Sequence, residues 1–238
     1  MNIITALDIL CTTYEDIKGS GITRHEGCVL LNAASISVLR SCTFAKQGRR
    51  SEYQEPAPAW EQTQYSVESF QNLLCDVGED KPVTTDKNGF LFYEKIQATF
   101  PDSRIYDKNG ELIDVVKPEV YHINSVDVWS GSEFCFARWM RRNDRGPILK
   151  DPFDKPTKEC PRWEYVKGGI KIYPASEANV KVSVLRMPVA MSCDEKHLSH
   201  PEFSDVIMMD VIYRALALTG VAEKDYNLYQ VASNLEGR

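Results

Sequence analysis

The sequence predicts an α+β protein: a helical bundle drawn from the N- and C-terminal segments and a β-sandwich-like middle region. Three observations carry this. Apolar residues recur at helical spacing near both ends, the middle is built of short strand-forming runs, and turn residues separate those runs. The bundle is expected at 1–77 and 197–238, and the β-rich region at 78–196.

Ile3, Leu7, Leu10, Tyr14 and Ile17 recur at alternating steps of four and three, the stripe of an amphipathic helix that Gly19 and Gly21 end. A second helix is expected from about Glu26 to Lys46, with Leu31, Val38, Cys42 and Ala45 on one side, before Gly48-Arg49-Arg50 breaks the pattern. The Arg49–Trp60 stretch contains Pro56 and Pro58 without periodicity and reads as an extended loop, with Tyr53 and Trp60 as candidate anchors. A short helix near Val67–Asp76 follows.

From Gly78 to Pro188 the chemistry is that of strands and turns. Asp86-Lys87-Asn88-Gly89 and Asp107-Lys108-Asn109-Gly110 are the same tetrapeptide, each followed by strand-forming residues; both read as turns into strands, the second as a hairpin. The clearest hairpin joins Trp163–Val166 to Ile170–Pro174 through Lys167-Gly168-Gly169, and Val180, Val182 and Val184 alternate with Lys181 and Ser183 in a further strand. The tail returns to helix. Ser199-His200-Pro201-Glu202 has capping-box form before Phe203–Thr219, which is apolar on nearly every face and demands burial. Asp210 and Arg214 are expected as an exposed pair on it, Gly220 as its stop, and Ala222–Leu235 as a last amphipathic helix.

Composition narrows the function classes. A chain of 238 residues with 43% hydrophobic and 26% charged residues can bury a sizeable core without staples. The start lacks a positive region before an apolar run, and no stretch of about 18 apolar residues occurs, so neither a secretion signal nor a membrane span is expected. Cysteines at 11, 28, 42, 75, 135, 160 and 193 are too scattered for a disulfide framework or a paired-cysteine metal site and read as reduced thiols. A net charge of −6 argues against binding nucleic acid over the whole surface.

Catalysis needs a nucleophile, base or metal set, and no phosphate loop, dinucleotide fingerprint, zinc-protease helix or nucleophile elbow is present. Cys193, Asp194, His197 and His200 have loose metal-ligand spacing but read as the polar loop and cap before the Phe203 helix. Adjacent acids at Glu79-Asp80 and Asp194-Glu195 read as solvated turns. The expectation is no catalytic residues, no cofactor and no metal. Arg138, Trp139, Arg141, Arg142, Arg145 and Lys150 instead form a basic run in an acidic chain, suited to gripping phosphates or an acidic protein surface, with Trp139 as anchor.

An ordered series of segments carries a family resemblance. Pro118–Val126 leads into Asp151-Pro152-Phe153-Asp154-Lys155-Pro156-Thr157; then come the Tyr165–Pro174 hairpin, a strand ending Leu185-Arg186-Met187-Pro188, and His200-Pro201-Glu202-Phe203 opening an apolar helix. This order resembles the head-to-tail connector proteins of tailed bacteriophages, in particular podophage tail tubular protein A and the ring proteins of crAss-like phages. The resemblance implies a structural subunit of a twelve-fold homo-oligomeric ring in the virion neck, made in the host cytoplasm. Such a ring docks on the portal protein, offers the tail and other neck proteins an attachment surface, lets double-stranded DNA pass, and has no membrane partner. Twelve copies at −6 each would make an acidic ring that does not hold DNA. The alternatives are a phage-encoded hydrolase or nuclease, and a nucleic-acid-binding accessory protein using Arg138–Lys150.

Overall fold

A computed structural model of the chain describes residues 1–43, 70–78, 83–106, 111–194, 197–199 and 201–222. In chain order the elements are α1 (Ile3–Lys18), α2 (Arg24–Thr43), β1 (Leu74–Val77), β2 (Val83–Thr84), β3 (Phe90–Phe92), α3 (Tyr93–Gln97), β4 (Ser103–Tyr106) and β5 (Leu112–Val116). They continue with β6 (Val120–Trp129), β7 (Phe134–Phe136), β8 (Arg138–Trp139), α4 (Arg145–Lys150), β9 (Arg162–Val166), β10 (Gly169–Tyr173), β11 (Asn179–Arg186), β12 (Ser192–Asp194), β13 (His197–Ser199) and α5 (Asp205–Ala222). The class is α+β, as the periodicities predict.

The chain divides into two compact units. One comprises Met1–Leu73, Ser103–Val116 and Pro188–Arg238; the other comprises Leu74–Asp102 and Lys117–Met187. These are not the boundaries read from the sequence, because strands near 103–116 and 192–199 belong with the helices.

In the helical unit, Asn2 caps α1 by accepting the Thr5 N–H at 2.7 Å, and Gly19 closes it in the left-handed conformation, φ 69°, that a residue without Cβ adopts freely. Ile3, Ala6, Leu7, Leu10 and Tyr14 are buried, while Ile17 at the end of the stripe is exposed. Thr23 and Glu26 form a reciprocal capping box at the start of α2, the Thr23 N–H reaching Glu26 Oε2 at 2.9 Å and the Glu26 N–H reaching Thr23 Oγ1 at 3.2 Å. This starts α2 two residues before Glu26; of the expected end, Ala45 and Lys46 lie outside the described residues. Helix α5 packs on both α1 and α2, and Met208, Val211, Ile212, Ala215 and Leu216 are fully buried. The unit's four-stranded sheet runs β12-β13-β4-β5, all antiparallel.

The β-rich unit holds two sheets that share one core. The first runs β1-β11-β6-β7, with β2 also on β11; the second runs β3-β10-β9-β8. Val126, Val128, Val180, Val182 and Val184 of the first sheet pack with Leu91, Trp163, Ile170 and Ile172 of the second, because alternation places every second residue of each strand on the inner face. The Asp86 turn is formed as expected: Asp86 Oδ1 accepts the Asn88 and Phe90 N–H groups at 2.9 and 2.7 Å, and Gly89 has φ 76°. A Cβ at Gly89 would lie 2.5 Å from the Ile172 carbonyl oxygen, so the position needs glycine twice over. The expected hairpin joins β9 to β10, with Gly169 already in β10 opposite Val166 and Gly168 at φ 80° in the turn.

Several expectations are corrected. Within Val67–Asp76, residues 67–69 lie outside the described residues; the remainder is a single 3-10 turn, Gln71–Leu73, followed by β1, which pairs with β11 from Leu74↔Leu185 to Val77↔Val182. Pairing against β11 overrides local helical preference there. Ser199 caps nothing: it lies in β13 opposite Ser192, and Glu202 accepts the Val189 N–H at 2.8 Å. Ser204 takes the cap instead, its Oγ accepting the Ile207 N–H at 3.4 Å. Helix α5 runs through Gly220, whose cost of about 1 kcal/mol inside a helix is offset by burial around Leu216, Ala217 and Thr219. Asp210 and Arg214 are half-buried, and burial pushes the Asp210 carboxyl up. Residues 107–110 lie outside the described residues, although the strands they join, β4 and β5, pair antiparallel. Arg49–Trp60, Glu79-Asp80, Glu195, His200 and the expected helix beyond Ala222 also lie outside them. Among the described residues no helix is long and apolar enough to cross a membrane.

Candidate functional site

The basic run occupies an edge of the β-rich unit. Strands β7 and β8 are each the last strand of their sheet, and the chain passes from one to the other at Ala137, which is buried and donates its N–H to the Val126 carbonyl at 2.8 Å. Arg138 and Met140 donate to the Pro161 and Trp163 carbonyls at 2.9 and 2.8 Å, which seats β8 parallel to β9 and buries Met140. Arg138, Trp139, Arg141, Arg142, Arg145 and Lys150 are all exposed.

They do not play one role. The Arg141 guanidinium sits over the Trp139 ring, 5.8 Å from its centroid, and the indole remains 52% exposed. Arg145 instead turns inward to Glu164, Nη1 to Oε1 at 3.3 Å, and Glu164 is only 2% exposed. The Tyr173 hydroxyl donates to the same Oε1 at 2.7 Å. Arg145 therefore neutralises a buried carboxylate and is not a free contact residue. Burial first, and then the Glu164 carboxylate, push the Tyr173 hydroxyl up to about 12, so it remains a donor at every ordinary pH.

Beside this run lies an aromatic group that sequence reasoning did not single out. The registers Asp127↔Phe136 and Trp129↔Phe134 put Trp129, Phe134 and Phe136 on one face of the first sheet, opposite the inward Val126 and Val128. Trp129 and Phe134 meet edge to face at 5.1 Å, and Lys181 Nζ lies 4.8 Å from the Phe134 centroid. Phe136 is 62% exposed.

Phe153 goes further. Asp151 Oδ1 accepts the Phe153 N–H at 2.8 Å, its carbonyl accepts the Lys155 N–H at 3.0 Å, and Asp154 pairs with Arg162 of β9. This tied turn holds the Phe153 side chain 99% exposed. A phenyl ring in water on an ordered turn marks a surface suited to contact another macromolecule. A signal was present in the sequence: Phe153 is flanked by Pro152 and Pro156 and by charged residues, a context in which no strand or helix would bury it.

A cavity of about 400 Å³ lies in the same unit between Thr84, Trp129, Lys158, Ile172, Pro174 and Glu177. Among the described residues no His or Cys lines it, and Lys158 and Glu177 are the charged groups on its wall. Of the loosely metal-like set, Cys193 and Asp194 fall in β12 and His197 in β13, a hairpin and not the cap loop expected; the described residues contain no group of three metal-capable side chains. No protein-family model and no curated protein matches the chain.

Proposed function

We propose that the chain is a structural subunit of a closed homo-oligomeric ring in the head-to-tail connector of a tailed bacteriophage, without catalytic activity of its own. It would dock on the portal and offer the tail and other neck proteins an attachment surface in the virion. The observation that carries a binding role is the exposure of Phe136 and Trp139 at the β7–β8 edge, in one run with exposed Arg138, Arg141 and Arg142, together with the exposed Phe153 turn. Such a surface suits an acidic protein partner presenting apolar pockets, the composition typical of energetic anchors at interfaces. The ring itself rests on the resemblance in the order of segments 118–126, 151–157, 165–174 and 182–203. Head-to-tail contacts that close by rotation give rings, and one edge presented by each copy to a different face of the next is the geometry this needs.

Negative-stain imaging and native mass spectrometry of the purified chain, alone and with portal protein, test the reading. Closed rings of about twelve copies, alone or on the portal, are expected. A chain that stays monomeric and leaves the portal unbound overturns it, and tight salt-dependent retention of duplex DNA would favour the nucleic-acid-binding alternative.

A further inference from the structure

Helix α2 and strand β12 bring two cysteines of the helical unit together. Cys28 Sγ donates to the Met191 carbonyl at 3.2 Å, and Cys193 Sγ donates to the Arg24 carbonyl at 3.6 Å. Arg24 is one helical turn before Cys28, and Met191 is two residues before Cys193 on the same side of the strand, so each thiol is anchored to backbone beside the other. Asn32, one turn after Cys28, fixes the alignment of helix and strand: its amide nitrogen donates to the Met191 carbonyl at 2.8 Å and its oxygen accepts the Met191 N–H at 2.7 Å. Cys193 lies close enough to Cys28 to act on its thiol. Cys28 is buried and Cys193 half-exposed.

We propose that Cys28 and Cys193 form an oxidative modification site, a thiol pair that a low-molecular-weight disulfide such as oxidised glutathione converts into an intramolecular disulfide. The inference is independent of the ring reading. Cys193, the accessible member, reacts first: its thiolate attacks one reagent sulfur, the reagent S–S bond breaks, and one reagent thiolate leaves. That thiolate takes the Cys28 proton. The Cys28 thiolate then attacks the Cys193 sulfur, and the second reagent thiolate departs and is protonated by solvent after the Cys193 proton was lost to it at the start. Two protein thiols are oxidised, and one reagent disulfide is reduced to two thiols.

The environment sets the order and the rate. Burial first, and then neighbouring Cys193, push the Cys28 thiol up to about 11, so at neutral pH very little of it is thiolate and closure is the slow step. Each unit of rise in pH toward that value supplies about tenfold more Cys28 thiolate. Exposed Cys160 provides an internal control, a second site open to the reagent.

The test treats the full-length protein with oxidised glutathione at about pH 7 and pH 9, quenches with acid, and maps peptides without reduction. A mixed disulfide on Cys193 should accumulate at the lower pH and convert to a Cys28–Cys193 linked peptide at least about tenfold faster at the higher. Because 163 residues separate Cys28 from Met191, the link closes a long loop and should raise the melting temperature by several degrees. Cys28→Ser should stop at the mixed disulfide; should that variant not fold, Cys193→Ser, altered at the half-exposed position, should yield no linked Cys28 at either pH. A mixed disulfide on Cys193 that persists at the higher pH overturns the proposal, as do links scattered among Cys11, Cys135 and Cys160.

Discussion

At the scale of single residues, the basic run divides into side chains that serve the fold and side chains left to serve a partner. Arg145→Ala would leave the Glu164 carboxylate in a site only 2% exposed, with the Tyr173 hydroxyl still donating to it. Breaking a fully buried pair costs roughly 3–5 kcal/mol; because Arg145 is half in water, about 2 kcal/mol is the expected loss here. Urea denaturation should show this as a clear fall in midpoint, against almost none for Arg142→Ala. Equal midpoints for the two variants would remove Arg145 from its structural role. His122 offers a pH-dependent counterpart. Burial holds its imidazole below the ordinary 6.5, so the folded state binds fewer protons than the unfolded chain once pH falls below about 6.5. Its contribution to stability is complete above that pH and declines as pH drops through it. Denaturation midpoints measured between about pH 7 and 5 should decline more steeply for the native chain than for His122→Gln. Parallel profiles would show that this imidazole is not the titrating group.

At the scale of elements, periodicity was a reliable guide wherever one face of an element is buried by neighbours of its own unit. The stripe Ile3, Leu7, Leu10, Tyr14 and the alternation Val180, Val182, Val184 both identify their buried faces correctly. Failures fall where a long-range partner decides. Leu74–Val77 is a strand because β11 is there to pair with it, and Ser199 is a strand residue because Ser192 is opposite; neither partner is visible from local sequence. The Thr23–Glu26 capping box was legible and passed over, since the apolar pattern of α2 begins later than its cap. The candidate surface was half legible: charge marks the Arg138–Lys150 run, but only register places Trp129, Phe134 and Phe136 on one face. This predicts separable behaviour. Arg141→Glu with Arg142→Glu, both exposed, should leave the circular dichroism spectrum and melting temperature unchanged while impairing oligomer or portal assembly. Phe153→Ser should do the same. Normal assembly in both variants would return this edge to ordinary solvated surface.

At the scale of the whole molecule, the order of segments constrains how the chain can fold. The β-rich unit is a nearly continuous stretch interrupted by 103–116, whereas the helical unit is assembled from three segments, with Cys28 and Met191 in contact across 163 residues. Closing so long a loop is costly in entropy before any helix contact repays it, so α5 can complete its core only once α1 and α2 are there to meet it. Ile212, fully buried at the centre of α5, tests whether that core belongs to the subunit itself. Replacing it with Asp would place a charge with no designed partner among apolar neighbours, at a cost of at least several kcal/mol, comparable to the whole stability of a typical domain. Ile212→Asp should therefore lose most of its helical circular dichroism and its cooperative melting. A helix whose main role was to join copies would respond differently: the variant would stay folded as a monomer and lose only its oligomeric state. That second outcome would reassign α5 from the core of the subunit to the contact between subunits.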